Sequence, residues 1–304
     1  KLMKTRILIF VLIFTSAMSF AQQDAQFTQY MYNTINVNPA YAGSRGAMSI
    51  FGLHRTQWVG LDGAPVTNTL SMNTPINNSN LGVGLSFIND RIGPTTENTV
   101  SVDVSYTIQT SETYKLSFGL KGTGNFFNLD VDKLNPEQQN DPAIVNYNKF
   151  SPNIGAGIYL HSDKTYLGIS APNMIQTKQV GGEDVAVYRE RINYYVIAGH
   201  VFDLTPDIKF KPALLSKVVT GSPLQVDLSG NFMFYEKFVI GAAYRWDAAV
   251  SALAGFQITD GLYLGYGYDM ETTKLRKYNS GSHEVFLRFE LFNNYNKMIS
   301  PRFF

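Results

Sequence analysis

Val100-Ser101-Val102-Asp103-Val104-Ser105-Tyr106-Thr107-Ile108 alternates without a slip between apolar and small or polar residues. A period of two puts Val100, Val102, Val104, Tyr106 and Ile108 on one face of an extended strand and Asp103, flanked by Ser101 and Ser105, on the other. The stretch before it behaves in the same way: Leu81, Val83, Leu85 and Phe87 face one side, and Gly82, Gly84 and Ser86 the other. So does the stretch after it, where Tyr114, Leu116, Phe118 and Leu120 oppose Lys115, Ser117, Gly119 and Lys121. Three such runs in succession predict antiparallel strands with one apolar and one polar face.

The pattern recurs almost to the end of the chain. Leu224, Val226 and Leu228 oppose Gln225, Asp227 and Ser229; Phe238, Ile240, Ala242 and Tyr244 oppose Val239, Gly241, Ala243 and Arg245. Leu262, Leu264, Tyr266 and Tyr268 oppose Tyr263, Gly265, Gly267 and Asp269, and Val285, Leu287, Phe289 and Leu291 oppose Glu284, Phe286, Arg288 and Glu290. Fourteen strands are expected, at 47–55, 65–74, 81–90, 96–108, 113–125, 151–161, 164–171, 191–203, 207–218, 223–235, 237–246, 249–258, 261–270 and 281–291. The strands at 191–203 and 207–218 alternate poorly, so their facing is open. Many have the ~9–11 residues that a tilted membrane strand requires.

Loop lengths separate a barrel from a soluble sandwich, which also alternates. With both chain ends on one side, the connections at 75–80, 109–112, 162–163, 204–206, 236 and 259–260 fall on that side and are short. The connections at 126–150, 172–190 and 271–280 fall on the other and are long, with 247–248 beside them. An even strand number with this asymmetry predicts a transmembrane antiparallel β-barrel, whose closure leaves no edge strand unpaired in lipid. Glycines on the polar face, such as Gly82, Gly84, Gly155, Gly157, Gly265 and Gly267, suit a crowded lumen. None precedes the helix that a phosphate-binding loop needs.

Composition is consistent with this class. Aromatics make up 13% of the chain, 18 Tyr and 21 Phe against 2 Trp, and charged residues only 16%, low for a soluble surface. There are no cysteines, so no disulfide framework holds the fold. Lys1, Lys4 and Arg6 precede the apolar run Ile7 to Phe14 and the sequence Ser19-Phe20-Ala21, the form of a secretory signal peptide over residues 1–21. That run is too short for a spanning helical anchor. Without those three cations, 22 positive charges face 24 negative ones, so no charge excess points to nucleic acid.

Between this leader and the first strand, residues 22–46 include Gln26-Phe27-Thr28-Gln29-Tyr30-Met31-Tyr32-Asn33 and Asn38-Pro39-Ala40-Tyr41-Ala42-Gly43-Ser44. Phe27 and Met31 are one helical turn apart with Tyr30 beside them, and Pro39 and Gly43 stop any continuation. Such aromatics predict a short plug packed in the barrel rather than a solvated leader, with Phe27, Tyr30, Met31, Asn38, Pro39 and Ala40 as its contacts.

This segment, with Arg55-Thr56-Gln57-Trp58-Val59-Gly60, Gly63-Ala64-Pro65, Asp90-Arg91-Ile92-Gly93-Pro94, Tyr266-Gly267-Tyr268-Asp269, Gly281-Ser282-His283-Glu284 and Ser300-Pro301-Arg302-Phe303-Phe304, resembles the PorP/SprF family of type IX secretion membrane proteins. The ordered set runs from end to end. The resemblance implies an outer-membrane barrel of the Bacteroidota, serving type IX secretion or gliding motility. It also implies partners: the C-terminal targeting domain of a large secreted adhesin or surface protein, held at the cell surface, and periplasmic type IX or peptidoglycan-linked proteins. Asn38-Pro39-Ala40 is similar to the hatch motif of long-chain fatty-acid transporter barrels, which keeps a FadL-like or porin-like channel as the alternative.

On that reading Trp58, Tyr147, Phe150 and Tyr188 are the candidate cargo contacts, because long loops on a rigid barrel are where binding residues collect. For Trp58 the competing reading is an interfacial aromatic anchor. Asp130, Asp132, Asn135, Glu137 and Asp141 gather oxygen ligands in one loop, but without the glycine and terminal glutamate of a calcium loop they read as solvated charge. His54, His161, His200 and His283 have no metal-ligand spacing, and no serine occupies a nucleophile elbow. No metal, cofactor or catalytic residue is therefore expected. The C-terminal residues 292–304, after the last strand, return to the side of the chain ends, where they contact a partner or cover the barrel base.

Overall fold

A computed structural model describes residues 30–77, 79–131, 146–180, 186–189 and 191–291. The signal-peptide reading of residues 1–21, Phe27, most of the acidic loop and the tail 292–304 lie outside them. Between 178 and 190 only backbone pairing is described, so Tyr188 is placed in a strand without its side chain.

The fourteen barrel strands are β1 Met48–Thr56, β2 Val66–Pro75, β3 Leu81–Ile92, β4 Thr95–Gln109, β5 Lys115–Leu129, β6 Tyr147–His161, β7 Thr165–Ala171, β8 in two segments Asn193–His200 and Phe202–Thr205, β9 Ile208–Val219, β10 Gln225–Phe234, β11 Phe238–Arg245, β12 Ala249–Thr259, β13 Leu262–Glu271 and β14 Ser282–Leu291. Each pairs antiparallel with its neighbours in sequence, and β1 pairs with β14 from Met48↔Leu291 to Thr56↔His283. That last pairing closes the sheet into a 14-stranded barrel. A two-stranded ribbon, Lys178–Val180 with Ala186–Arg189, stands apart in the connection after β7.

Burial is inverted relative to a soluble protein. In β4, Val100, Val102, Val104 and Tyr106 are exposed while Ser101, Asp103 and Ser105 are buried; Leu120 on β5 is 68% exposed and Lys121 beside it 5%. A wall of exposed Leu, Ile, Val and Phe is stable only against hydrocarbon, and the alternation therefore sets lipid-facing against lumen-facing residues. No described helix is long and apolar enough to cross a membrane, and the strands do so instead.

Connections at one end of the barrel never exceed five residues: 76–80, 110–114, 162–164, 206–207, 235–237 and 260–261. At the other end stand 57–65, 130–146, 172–192 and 272–281. The loop expected at 126–150 is shorter than its sequence suggested. β5 runs on to Leu129 and β6 starts at Tyr147, with Phe126↔Phe150 and Leu129↔Tyr147 in register. Phe126, Phe127 and Phe150 continue the pleat, so Tyr147 and Phe150 are strand residues.

The two poorly alternating strands have a physical explanation. β8 breaks at Val201, which is buried and whose N–H, donated to the Lys164 carbonyl 2.8 Å away, is the end of its pairing on the β7 side; beyond it Phe202–Thr205 pairs with β9. In β9 the lumen face carries Lys211, Ala213, Leu215, Lys217 and Val219, because part of the barrel content they meet is apolar. Leu215 turns inward while Ser216 does not, which reverses the usual sign of the pattern.

Candidate functional site

Residues 30–46 fold inside the barrel. Three short 3₁₀ turns, Tyr30–Tyr32, Thr34–Asn36 and Pro39–Tyr41, carry Tyr30, Met31, Tyr32, Ile35, Ala40 and Tyr41 into the central cluster, each under 6% exposed. Asn38 nucleates the third turn: its Oδ1 accepts from the Ala40 N–H at 3.0 Å, and Pro39 at the first turn position is already set for a helical φ. The Asn38 Nδ2 donates across to the Ile158 carbonyl of β6 at 3.0 Å, and the residue is wholly buried.

Barrel glycines make this approach possible. A Cβ at Gly119 would run into the backbone of Pro39 and Ala40, and one at Gly157 into the Asn38 amide. Backbone lies against backbone where side chains are missing. Hydroxyls satisfy the carbonyls that the segment leaves free: Ser105 donates to Ala42 O at 2.7 Å and Ser170 to Val37 O at 2.6 Å, while Ser71 donates to Asn33 Oδ1 at 2.8 Å. On the opposite wall, Tyr32 shares a hydrogen bond of 3.0 Å with Tyr263 and packs on Phe286 with ring centroids 4.6 Å apart. Lys211 and Arg288 sit over the Tyr32 ring. Burial pushes both the Tyr30 and Tyr32 phenols up from their ordinary value, so they stay neutral. At the short-turn end Arg45 pairs with Glu290 of β14. The segment is thus held from strands on all sides of the lumen.

Charged lumen residues are paired across strands. Lys121 Nζ lies 3.0 Å from Asp103 and donates to the Ile35 carbonyl at 3.2 Å. Towards the long-loop end, Arg55 bridges Asp269 at 2.7 Å and Glu284 at 3.1 Å, and Arg245 meets Asp227 at 2.9 Å.

The connection after β7 also turns inward. The Asn153 Oδ1 accepts from the N–H groups of Met174 and Ile175 at 2.9 and 2.8 Å, and Gly155 leaves room for Pro172. Between this inturned stretch and the N-terminal segment remains a chamber of about 110 Å³, lined by both polar and apolar side chains.

The sequence-derived site residues do not form one cluster. Tyr30, Met31, Asn38, Pro39 and Ala40 lie together in the lumen. Trp58, at φ +46°, follows β1 at the long-loop rim, where its indole N–H donates to Glu271 at 2.9 Å and its backbone N–H to the Ser282 hydroxyl at 3.1 Å. Tyr147 packs edge-on to Phe127 at 6.3 Å, whereas Phe150 is 54% exposed on the outward face against Phe126. Among the described residues no group of three or more His, Cys, Asp or Glu is placed to hold a metal. The inturned stretch 172–175 and the Arg55 network were missed from sequence; the alternating polar face marked Arg55 as inward-facing only after its strand was in register.

An amphiphilic barrel, lipid-facing outside and filled by its own N-terminal segment, is an occluded membrane β-barrel of the outer-membrane kind. The chain belongs to the PorP/SprF family, type IX secretion system membrane protein PorP/SprF, whose family model matches residues 19–289. No curated protein matches the sequence. Similar solved structures include the Acinetobacter baumannii outer membrane protein Omp33, 8% identical over 81% of this chain and 98% of that one with a TM-score of 0.48. The Ralstonia pickettii toluene transporter TbuX is 10% identical over 90% and 95%, with a TM-score of 0.49. The barrel assignment rests on the strand register, not on these likenesses.

Proposed function

We propose that this barrel binds the C-terminal targeting domain of a large secreted adhesin or surface protein of the type IX pathway and anchors it at the cell surface, without catalysis. It reaches the outer membrane through the signal peptide at residues 1–21, with the short turns in the periplasm and the long loops outside. The observation that carries this reading is the occupied lumen. A barrel filled by residues 30–46, clasped by buried hydrogen bonds and aromatic stacking, presents its long-loop rim rather than a pore. Trp58, Tyr147, Phe150 and Tyr188 are the proposed cargo contacts, and the short-turn end faces periplasmic type IX or peptidoglycan-linked partners. A small-molecule channel would require the N-terminal segment to leave the lumen.

The test is to purify the tagged protein from its native outer membrane and identify what accompanies it. A large secreted protein with a type IX C-terminal domain is the expected companion. Its absence in several detergents would remove the anchoring role.

A further inference from the structure

The outward face of the barrel is not apolar everywhere. Across β1 to β4, His54, Asn68, Asn89 and Asn98 stand in register on that face, one row nearer the long-loop end than Leu70, Phe87 and Val100. Their side chains form a ladder. The His54 Nδ1–H donates to Asn68 Oδ1 at 2.8 Å, Asn68 Nδ2 to Asn89 Oδ1 at 3.4 Å, and Asn89 Nδ2 to Asn98 Oδ1 at 2.8 Å. On β13 and β14, Tyr266 and His283 continue the polar surface, hydroxyl to Nδ1 at 2.7 Å. Outward amides are costly against hydrocarbon, so the edge of the apolar layer falls between these two rows. Each ladder amide spends one N–H and one lone pair at most on its neighbours and keeps the rest for whatever lies outside.

Cations flank the ladder. Lys274, Arg276 and Lys277 lie within four residues of the 272–281 connection, all exposed, and none forms an ion pair among the described residues. Glu271, at the edge of that connection, already accepts from Trp58 and Thr273. The connection is fixed in place: Thr272 N–H donates to Ala248 O at 2.9 Å, Ser280 N–H to Val59 O at 2.8 Å, and the Tyr268 hydroxyl to Ser280 O at 2.9 Å. On the far side Arg91 of β3, exposed and also without an ion pair, stands on the outward face one row above Asn89. From β14 to β3 the wall is roughly 14 Å wide, at about 4.8 Å per strand. Trp246 and Tyr278, 64% and 69% exposed, supply aromatics at the same end, as expected where a wall meets headgroups.

We infer that this wall, from the 272–281 connection to Arg91, binds a phosphorylated glycolipid of the outer leaflet. The ladder amides meet its sugar hydroxyls, the flanking cations its phosphates, and its acyl chains lie on the apolar rows below. Unpaired Arg and Lys suit phosphate, and the continuity of the ladder with the lipid-facing wall favours a lipid over a free anion or a protein. The inference rests on the proposed orientation, with the long loops outside.

Native mass spectrometry of the full-length protein in detergent micelles, titrated with bisphosphorylated lipid A, tests it. Lipid A is expected to bind saturably and to weaken with salt; its dephosphorylated form and the acyl-free diglucosamine bisphosphate should each bind at least about tenfold more weakly. Lys274→Gln with Arg276→Gln and Lys277→Gln is expected to weaken lipid A by about tenfold and leave the dephosphorylated form unchanged. Asn68→Leu with Asn89→Leu should weaken both forms; if that variant does not fold, Arg91→Gln is the wall variant and weakens lipid A alone. Equal binding with and without phosphates, equal binding without acyl chains, or lipid A binding untouched in the folded variants overturns the site. So does loss of an acidic protein companion in the triple variant with lipid A binding intact. Asp62→Cys, in a chain without other cysteines, reports the orientation through an impermeant maleimide on intact cells. Labelling from outside without lipid A binding strikes the site alone, whereas labelling only after lysis strikes the orientation and the outer-leaflet source with it.

Discussion

Lys121 and Asp103 face each other from β5 and β4 with side chains 3% and 0% exposed. Breaking such a pair from one side leaves a buried charge and, here, the Ile35 carbonyl without its donor. Lys121→Met is expected to lower barrel stability by about 3–5 kcal/mol, read as a lower denaturant midpoint of the heat-modifiable band. Lys121→Met with Asp103→Leu should recover most of that loss, because no uncompensated charge remains. Gly119 makes the complementary argument. Its missing Cβ is where Pro39 and Ala40 lie, so Gly119→Val must displace the segment. Added protease sensitivity within residues 30–46, with the barrel still folded, is the expected result, and overpacking of this kind costs about 1–3 kcal/mol. Retention of wild-type protection would mean that the segment can shift without loss. The position of Gly119 on the polar face could be read from alternation alone. Its partner could not, since nothing local in the sequence joins residue 119 to residue 39.

At the scale of elements, the period of two was the most informative signal, because every second residue of a membrane strand faces hydrocarbon. Leu120 exemplifies the consequence: as a soluble surface residue it would tolerate charge, but on the lipid face Leu120→Arg is expected to cost about 2–4 kcal/mol and to deplete the folded band in membranes. The strands that resisted reading were those where the lumen is locally apolar. Leu215 is buried in the same apolar cluster as residues of the N-terminal segment, so the contrast between faces that marks other strands fades in β9. The inward turn at 172–175 was hidden for a different reason: it depends on Asn153 and Gly155 of a strand whose register had first to be known. Trp58 was legible as a rim aromatic, but not as the donor to Glu271 that ties the connection after β1 to β13. Trp58→Phe keeps the ring and removes the donor. A loosening of the connections at 57–65 and 272–281, seen as faster amide exchange there, is expected if the tie matters, and no change if only the ring does.

For the whole molecule, closure and filling act together. The β1–β14 pairing removes the sheet edges, and the N-terminal segment supplies hydrogen bonds and aromatic packing to a lumen that would otherwise hold water among paired charges. Family membership makes this barrel part of type IX secretion, and the filled lumen turns attention from passage through the barrel to binding at its rim. The most direct test of that account is conductance in planar bilayers, comparing the full-length protein with a variant lacking residues 22–46. The full-length barrel is expected to stay closed and the deletion variant to show stable open channels. Equal conductance from both would contradict an occluded lumen and return the protein to the class of simple pores.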